Sequence, residues 1–167
     1  MKYCYLGVDP AFRQDGFAVC LIEDGAAKFH TIKGGLLGFF EYIYDLGDNV
    51  IVCVENSNLQ NLTFDMKGTK GEVARRSRNV GANQAASEYT YQAAVMRWGN
   101  AKVFQVSPRE KGKKYTPEQF TWIVKSEKHK LEGYKKSKQD HRDAYQLALI
   151  AVRKARESWE RSVYKRL

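Results

Sequence analysis

A chain of 167 residues with 43% hydrophobic content and only three prolines suits one domain around one core, which excludes a disulfide-stapled miniprotein and a low-complexity chain. No apolar run reaches membrane-spanning length and Asp9 falls too early for a signal-peptide core, so a soluble, cytoplasmic protein is expected. The net charge of +9 is uneven, with residues 1–57 carrying four Lys/Arg against eight Asp/Glu and residues 58–167 carrying 24 against 11.

Residues 2–9 form an apolar, β-rich run stopped by Pro10. Residues 16–23 and 26–33 are two further strand candidates around the turn signal Asp24-Gly25, which predicts an antiparallel meander. A helix is expected over 36–46, ending at Gly47. The unbroken apolar run 50–55 reads as a strand covered on both faces, and 56–78 as a polar, basic loop. A long helix over 80–98 carries a stripe of Ala82, Ala85, Ala86, Tyr89, Ala93 and Met96, whose small residues permit close packing. A fifth strand spans 101–107 before Pro108, Thr116-Pro117 opens a helix over 117–128, and a last helix runs from 138 to 162. The order βββ-α-β-α-β-α-α predicts an α/β domain, a five-stranded mixed sheet flanked by helices. The three cysteines lie in strand-like runs without metal-ligand spacing and read as buried thiols.

The positive charge is clustered in 67–78, 109–114, 125–138 and 153–166, with aromatic residues interleaved. Such clusters predict a polyanion partner, and nucleic acid before a membrane, since no segment is amphipathic in the way a membrane surface requires. The acids are sparser and better placed. Asp9 ends the first strand and Glu55 ends the fourth, so parallel, adjacent strands would bring both to one sheet edge. In 137–151, SKQDHRDAYQLALIA, helical spacing puts Asp140, Asp143, Ala144, Leu147, Ile150 and Ala151 on one face. Asp140 also fits a capping box with Ser137, but Asp143 lies a turn further in, on the apolar stripe, and needs either solvent or a cationic partner. If the stripe packs on the sheet beside Asp9 and Glu55, the carboxylates converge and repel one another. Oxygen-only ligands then suit Mg²⁺, with Mn²⁺ able to substitute, and two ions would serve phosphodiester hydrolysis.

The set G-V-D-P (7–10), V-E-N (54–56) and D-x-x-D-A-x-x-L-A (140–148) resembles the RuvC-like Holliday-junction resolvases of the RNase H-like superfamily. NVGANQAASEY (79–89) and VSPREKGKK (106–114) look most like the phage or mobile-element branch, which implies a bacterial host cytoplasm. The resemblance implies a single RNase H-like nuclease domain over 1–167 with Asp9, Glu55, Asp140 and Asp143 as metal ligands. It implies a homodimer that binds a four-way DNA junction and cuts it by paired symmetric nicks leaving 5′-phosphates. Members probe the junction with a loop residue after the Glu-bearing strand, for which Leu59 and Phe64 are the candidates here. His141 replaces the usual small residue between the two acids; it reads as solvated, with a helping role in catalysis as the other possibility. Lys67, Lys70, Arg75, Arg76, Arg78, Lys111, Lys113 and Lys114 are the expected DNA contacts, positioning the backbone without specifying sequence.

Two other readings stand beside this one. An RNase H acting on RNA–DNA hybrids shares the fold but places its glutamate on the first helix, where Glu41 lies. A non-catalytic basic nucleic-acid-binding protein would carry the acids as a structural site.

Overall fold

The strand at the centre of the fold is the first, and everything that matters for the site is attached to it. A computed structural model describes residues 2–12, 17–59 and 67–164, with side chains through residue 160. Strands β1 (Cys4–Asp9), β2 (Ala18–Glu23) and β3 (Ala26–Thr31) form the antiparallel meander. Asp24 and Gly25 take positive φ of 51° and 77° in the β2–β3 turn, the left-handed pair that matches strand twist. Helix α1 (Gly35–Tyr44) leads into β4 (Val50–Glu55), which lies parallel to β1 with Val8 opposite Val54. Helix α2 (Lys70–Trp98) precedes β5 (Val103–Val106), parallel to β4. There follow a one-turn helix α3 (Pro108–Lys111), α4 (Pro117–Glu127), a short β6 (Lys130–Glu132) and the long α5 (Gln139–Tyr164).

The sheet therefore has six strands, ordered β5-β4-β1-β2-β3-β6, and not five. The sixth is three residues of alternating charge and leucine, Lys-Leu-Glu, paired in parallel with the edge of β3. It has no apolar run of its own, so periodicity does not reveal it. Helix α2 starts ten residues earlier than its apolar pattern does. Its first turn is held by a capping box, Thr69 with Glu72, and the stretch that follows is exposed and basic, with no face for a core to mark. The packed face of α2 is Ala86, Thr90, Ala93, Ala94 and Trp98; of the expected stripe, Ala85, Tyr89 and Met96 are exposed.

Helices cover both faces of the sheet. On one side Leu6, Val8, Val19, Val52 and Val54 meet Phe39 and Ile43 of α1 and Ala94 and Trp98 of α2. On the other, Cys20, Phe29 and Cys53 meet Phe120 of α4 and Ala144, Tyr145, Leu147, Ala148 and Ala151 of α5. This explains the continuous apolar run in β4. Gly7 is what lets α5 lie so low: a Cβ there would stand 2.0 Å from Ala144 O and 2.2 Å from Ala148 N. Cys20 and Cys53 are buried free thiols as expected, and Cys4 is half-buried. Among the described residues no helix is long and apolar enough to cross a membrane.

His141 corrects an expectation. It is not solvated but 1% exposed, pointing off the site toward β3. Its Nε2 lies 3.0 Å from Thr31 Oγ1, its Nδ1 accepts from Lys135 N at 3.2 Å, and the ring stacks on Phe29. Accepting at Nδ1 requires the neutral ring, and burial, with Lys138 and Lys135 nearby, pushes its pKa down to about 4. The unfolded chain takes up that proton near pH 6.5 while the folded one does not, so stability is full above pH 6.5 and falls toward about pH 4. At about 1.4 kcal/mol per unit the loss across that window is roughly 3–4 kcal/mol. Urea melts of wild type and His141→Gln across that window are expected to show the steeper acid loss in wild type alone.

Candidate active site: a carboxylate cleft with a buried lysine

The parallel pairing of β1 and β4 brings Asp9 and Glu55, each the residue after a paired valine, to the same end of adjacent strands. Because α5 rests on Gly7, its first turns run over that end. Asp9, Glu55, Asp140 and Asp143 all line one cleft of about 520 Å³. The four expected ligands are thus brought together from three elements. Ala11 and Phe12 after β1, Asn79 and Asn83 of α2, and Lys114 and Lys138 complete the lining.

The cation that Asp143 needs is present. Asp143 is 1% exposed; its Oδ2 lies 3.4 Å from both Lys111 Nζ and Lys114 Nζ, and its Oδ1 accepts from Gln139 Nε2 at 2.8 Å. Lys111 also pairs with Glu55 Oε2, a buried oxygen that gains no well-directed hydrogen bond from the contact. Burial alone would lower the pKa of Lys111, but the carboxylates of Asp9, Glu55 and Asp143 outweigh it and hold the ammonium charged. Asp9 answers differently. Burial first, then Glu55, Asp143 and Asp140, push its carboxyl well above the usual range against the pull of Lys111.

Lys111 therefore departs from the expected surface phosphate contact: it is 7% exposed and spent on carboxylates. The reason is local. Ser107 and Glu110 form a capping box that winds residues 108–111 into one turn, which directs Lys111 inward. Gln146 Nε2 then donates to Lys111 O at 2.7 Å and fixes the end of that turn against α5. A second support runs through Arg142, buried beside the cleft, whose Nη2 donates to Gln139 Oε1 at 2.6 Å. Gln139 is thereby oriented to donate to Asp143. Arg142 also holds Lys136 O at 2.8 Å and Tyr115 O at 3.2 Å, tying the approaching chain to the first turns of α5.

Of the other expected DNA contacts, Lys67, Lys70, Arg75, Arg76 and Arg78 are exposed on or just before the N-terminal half of α2, and Lys113 and Lys114 are exposed after α3. Asn79 and Asn83, further along α2, line the cleft, so the basic half of that helix borders it. Leu59 is 44% exposed at the end of a single helical turn after β4. Phe64 lies outside the described residues. His141 is not among the residues lining the cleft. Glu41 is exposed on α1 and does not line it either.

Sequence reasoning missed Gln139, Arg142, Asn79, Asn83 and Asn56. Asn56 is buried, donating to Glu88 Oε2 at 3.0 Å and Gln105 Oε1 at 2.9 Å, and it accepts from Asn58 N, which fixes the chain just after Glu55. The one sequence signal for Lys111 was Ser107-x-x-Glu110, a capping box at the end of a strand.

Whether these residues suit a divalent cation can be judged from the cleft itself. The donors are all carboxylate oxygens, Glu55 offers a buried oxygen without a hydrogen bond, and burial with three neighbouring acids disfavours the charge on Asp9. That chemistry fits Mg²⁺ or Mn²⁺. As the side chains stand, however, no three His, Cys, Asp or Glu among the described residues are arranged to hold one ion. Lys111 supplies the balancing charge in their midst. A Lys111→Met variant is expected to lose about 3 kcal/mol, since it leaves Glu55 and Asp143 buried without their cation. Denaturant midpoints with and without Mg²⁺ check this, with partial recovery expected in Mg²⁺. An unchanged midpoint would mean that the ammonium does not carry the balance.

No protein-family model, curated protein or solved structure matches the chain.

Proposed function

We propose that this chain is a divalent-metal-dependent, structure-selective DNA endonuclease with an RNase H-like fold, resolving four-way junctions as RuvC-like resolvases do. The observation that carries the reading is the meeting of Asp9, Glu55, Asp140 and Asp143 in one cleft bordered by a basic helix. Mg²⁺ or Mn²⁺ held by these four would supply Lewis acidity and an activated water for phosphodiester hydrolysis. A cation bound there would favour the charged form of Asp9, which burial and the neighbouring acids disfavour. Lys114 and Lys138 at the cleft, with Lys67, Lys70, Arg75, Arg76 and Arg78 beyond it, suit a phosphate backbone and would fix its register without reading bases.

Paired symmetric nicks, each leaving a 5′-phosphate, require two clefts acting together, hence a homodimer. Exposed Met96 on α2 lines a groove of about 420 Å³ with Phe40 and Tyr44 on α1, which supports such a pairing, and Tyr89 is exposed elsewhere on α2. Sedimentation equilibrium at twice the monomer mass is the expected result.

The exposure of Glu41, away from the cleft, counts against the RNase H arrangement, in which the first helix contributes an acid. Lys111 between Glu55 and Asp143 is the observation that favours a non-catalytic DNA-binding protein instead. Offering a four-way junction, an RNA–DNA hybrid and a plain duplex side by side in Mg²⁺ separates the three. Preferential junction cleavage is expected; preferential hybrid cleavage supports the RNase H reading, and binding without cleavage of any substrate supports the third.

A further inference from the structure

A second groove opens on the far side of the segment 112–115 from the carboxylate cleft. Tyr115, Trp122, Ile123 and Gln146 line both of its adjoining parts, of about 690 and 480 Å³, with Lys113 at the end nearer the cleft. Trp122 presents an indole that is 71% exposed, unusual for so large an apolar ring and available as a platform. Gln146 is the polar residue at its base. Both its amide hydrogens face the segment above, donating to Lys111 O at 2.7 Å and Lys113 O at 3.3 Å, which fixes the amide plane. Its Oε1 is left buried with no donor, a state that ordinarily costs about 1–3 kcal/mol. An exposed aromatic face in a groove that a lysine also lines is a stacking platform for a nucleobase.

Position argues for the same occupant. Gln146 is three residues beyond Asp143 on α5, so about 4.5 Å of helix separates the two positions. Lys113 and Lys114 are neighbours that line opposite clefts, Lys114 toward Asp143 and Lys113 toward Trp122. A phosphate chain crossing the segment meets one lysine on each side, and its next base, if unpaired, comes down onto Trp122.

We propose that the groove between α4 and α5 is a subsite for one unpaired nucleobase of a DNA strand that also passes the carboxylate cleft, stacked on Trp122 beside Gln146. The inference rests on the nucleic-acid reading of the cleft and adds to it a preference for strands with an unpaired base.

The probes are a single-stranded oligothymidylate, whose base carries an imide N–H, and an abasic oligomer of equal length, both measured by fluorescence anisotropy in the presence of EDTA. Wild type is expected to prefer the thymidylate. Trp122→Ala, at an exposed position that folding does not need, is expected to lose about 5- to 100-fold in thymidylate affinity and to bind both oligomers alike. Lys113→Ala is expected to weaken both oligomers equally. Cleavage of a fully paired junction by Trp122→Ala should remain as in wild type, and a Trp122→Phe variant should retain most of the preference. Equal affinity of wild type for the two oligomers, with junction cleavage intact, would overturn the subsite and leave the nuclease reading standing. A fall in oligomeric mass in Trp122→Ala would assign the groove to a second copy of the chain and overturn the subsite. Failure of wild type to bind any DNA would sink the nuclease reading and the subsite together.

Discussion

Gly7→Ala is expected to cost at least about 3 kcal/mol and to abolish activity with it. Overpacking a core by one methyl usually costs about 1–3 kcal/mol because side chains give way. Here the atoms nearest the new methyl belong to backbone, not to side chains that can give way. The methyl would stand 2.0 Å from Ala144 O and 2.2 Å from Ala148 N, the backbone of α5, so the helix itself must rise off β1. That same approach sets Asp143 over the ends of β1 and β4, and lifting α5 separates Asp140 and Asp143 from Asp9 and Glu55. Thermal melts of Gly7→Ala against Gly47→Ala make the check, since a Cβ at Gly47 meets nothing within 4 Å. A melt of Gly7→Ala equal to that of the control would mean that α5 is not seated on β1 as described.

Asp143→Asn is expected to lower cleavage by at least about 100-fold, the scale on which metal sites respond even to changes around their ligands. The substitution keeps the shape and the contact with Gln139 but removes the charge that Lys111 and Lys114 face. Folding survives because Lys111 keeps Glu55 as a partner. Junction affinity survives because the basic residues of α2, with Lys113 and Lys114, are untouched. Single-turnover rates and gel-shift affinities measured together test both halves. Equal loss of binding and cleavage in a folded variant would argue that Asp143 does not act at the reacting phosphate.

The strands that bury side chains on both faces were legible in the sequence, as were the β2–β3 turn and the helix mounted through Ala144, Leu147 and Ala151, because burial writes an apolar pattern. From two strand ends and that stripe, the meeting of four acids in one cleft could be read before any coordinates. What stayed hidden was held by other forces. The strand Lys130–Glu132 forms by backbone pairing at an edge, and the first turns of α2 by a cap and exposed residues, so neither marks the apolar pattern. Lys111 sits among surface lysines in sequence, and only the turn set by Ser107 and Glu110 separates it from Lys113 and Lys114. His141 looked solvated by helical phase alone, yet β3 and the 134–138 approach close over that side of α5.

Hydrolysis of branched DNA by the carboxylate cleft is tested by cleavage of an immobile four-way junction by the wild-type protein with Mg²⁺ and with EDTA. Mg²⁺-dependent nicks are expected, symmetric across the junction in opposed strands and ending in 5′-phosphates. An intact junction in Mg²⁺ and in Mn²⁺, bound by the protein but never cut, would contradict it.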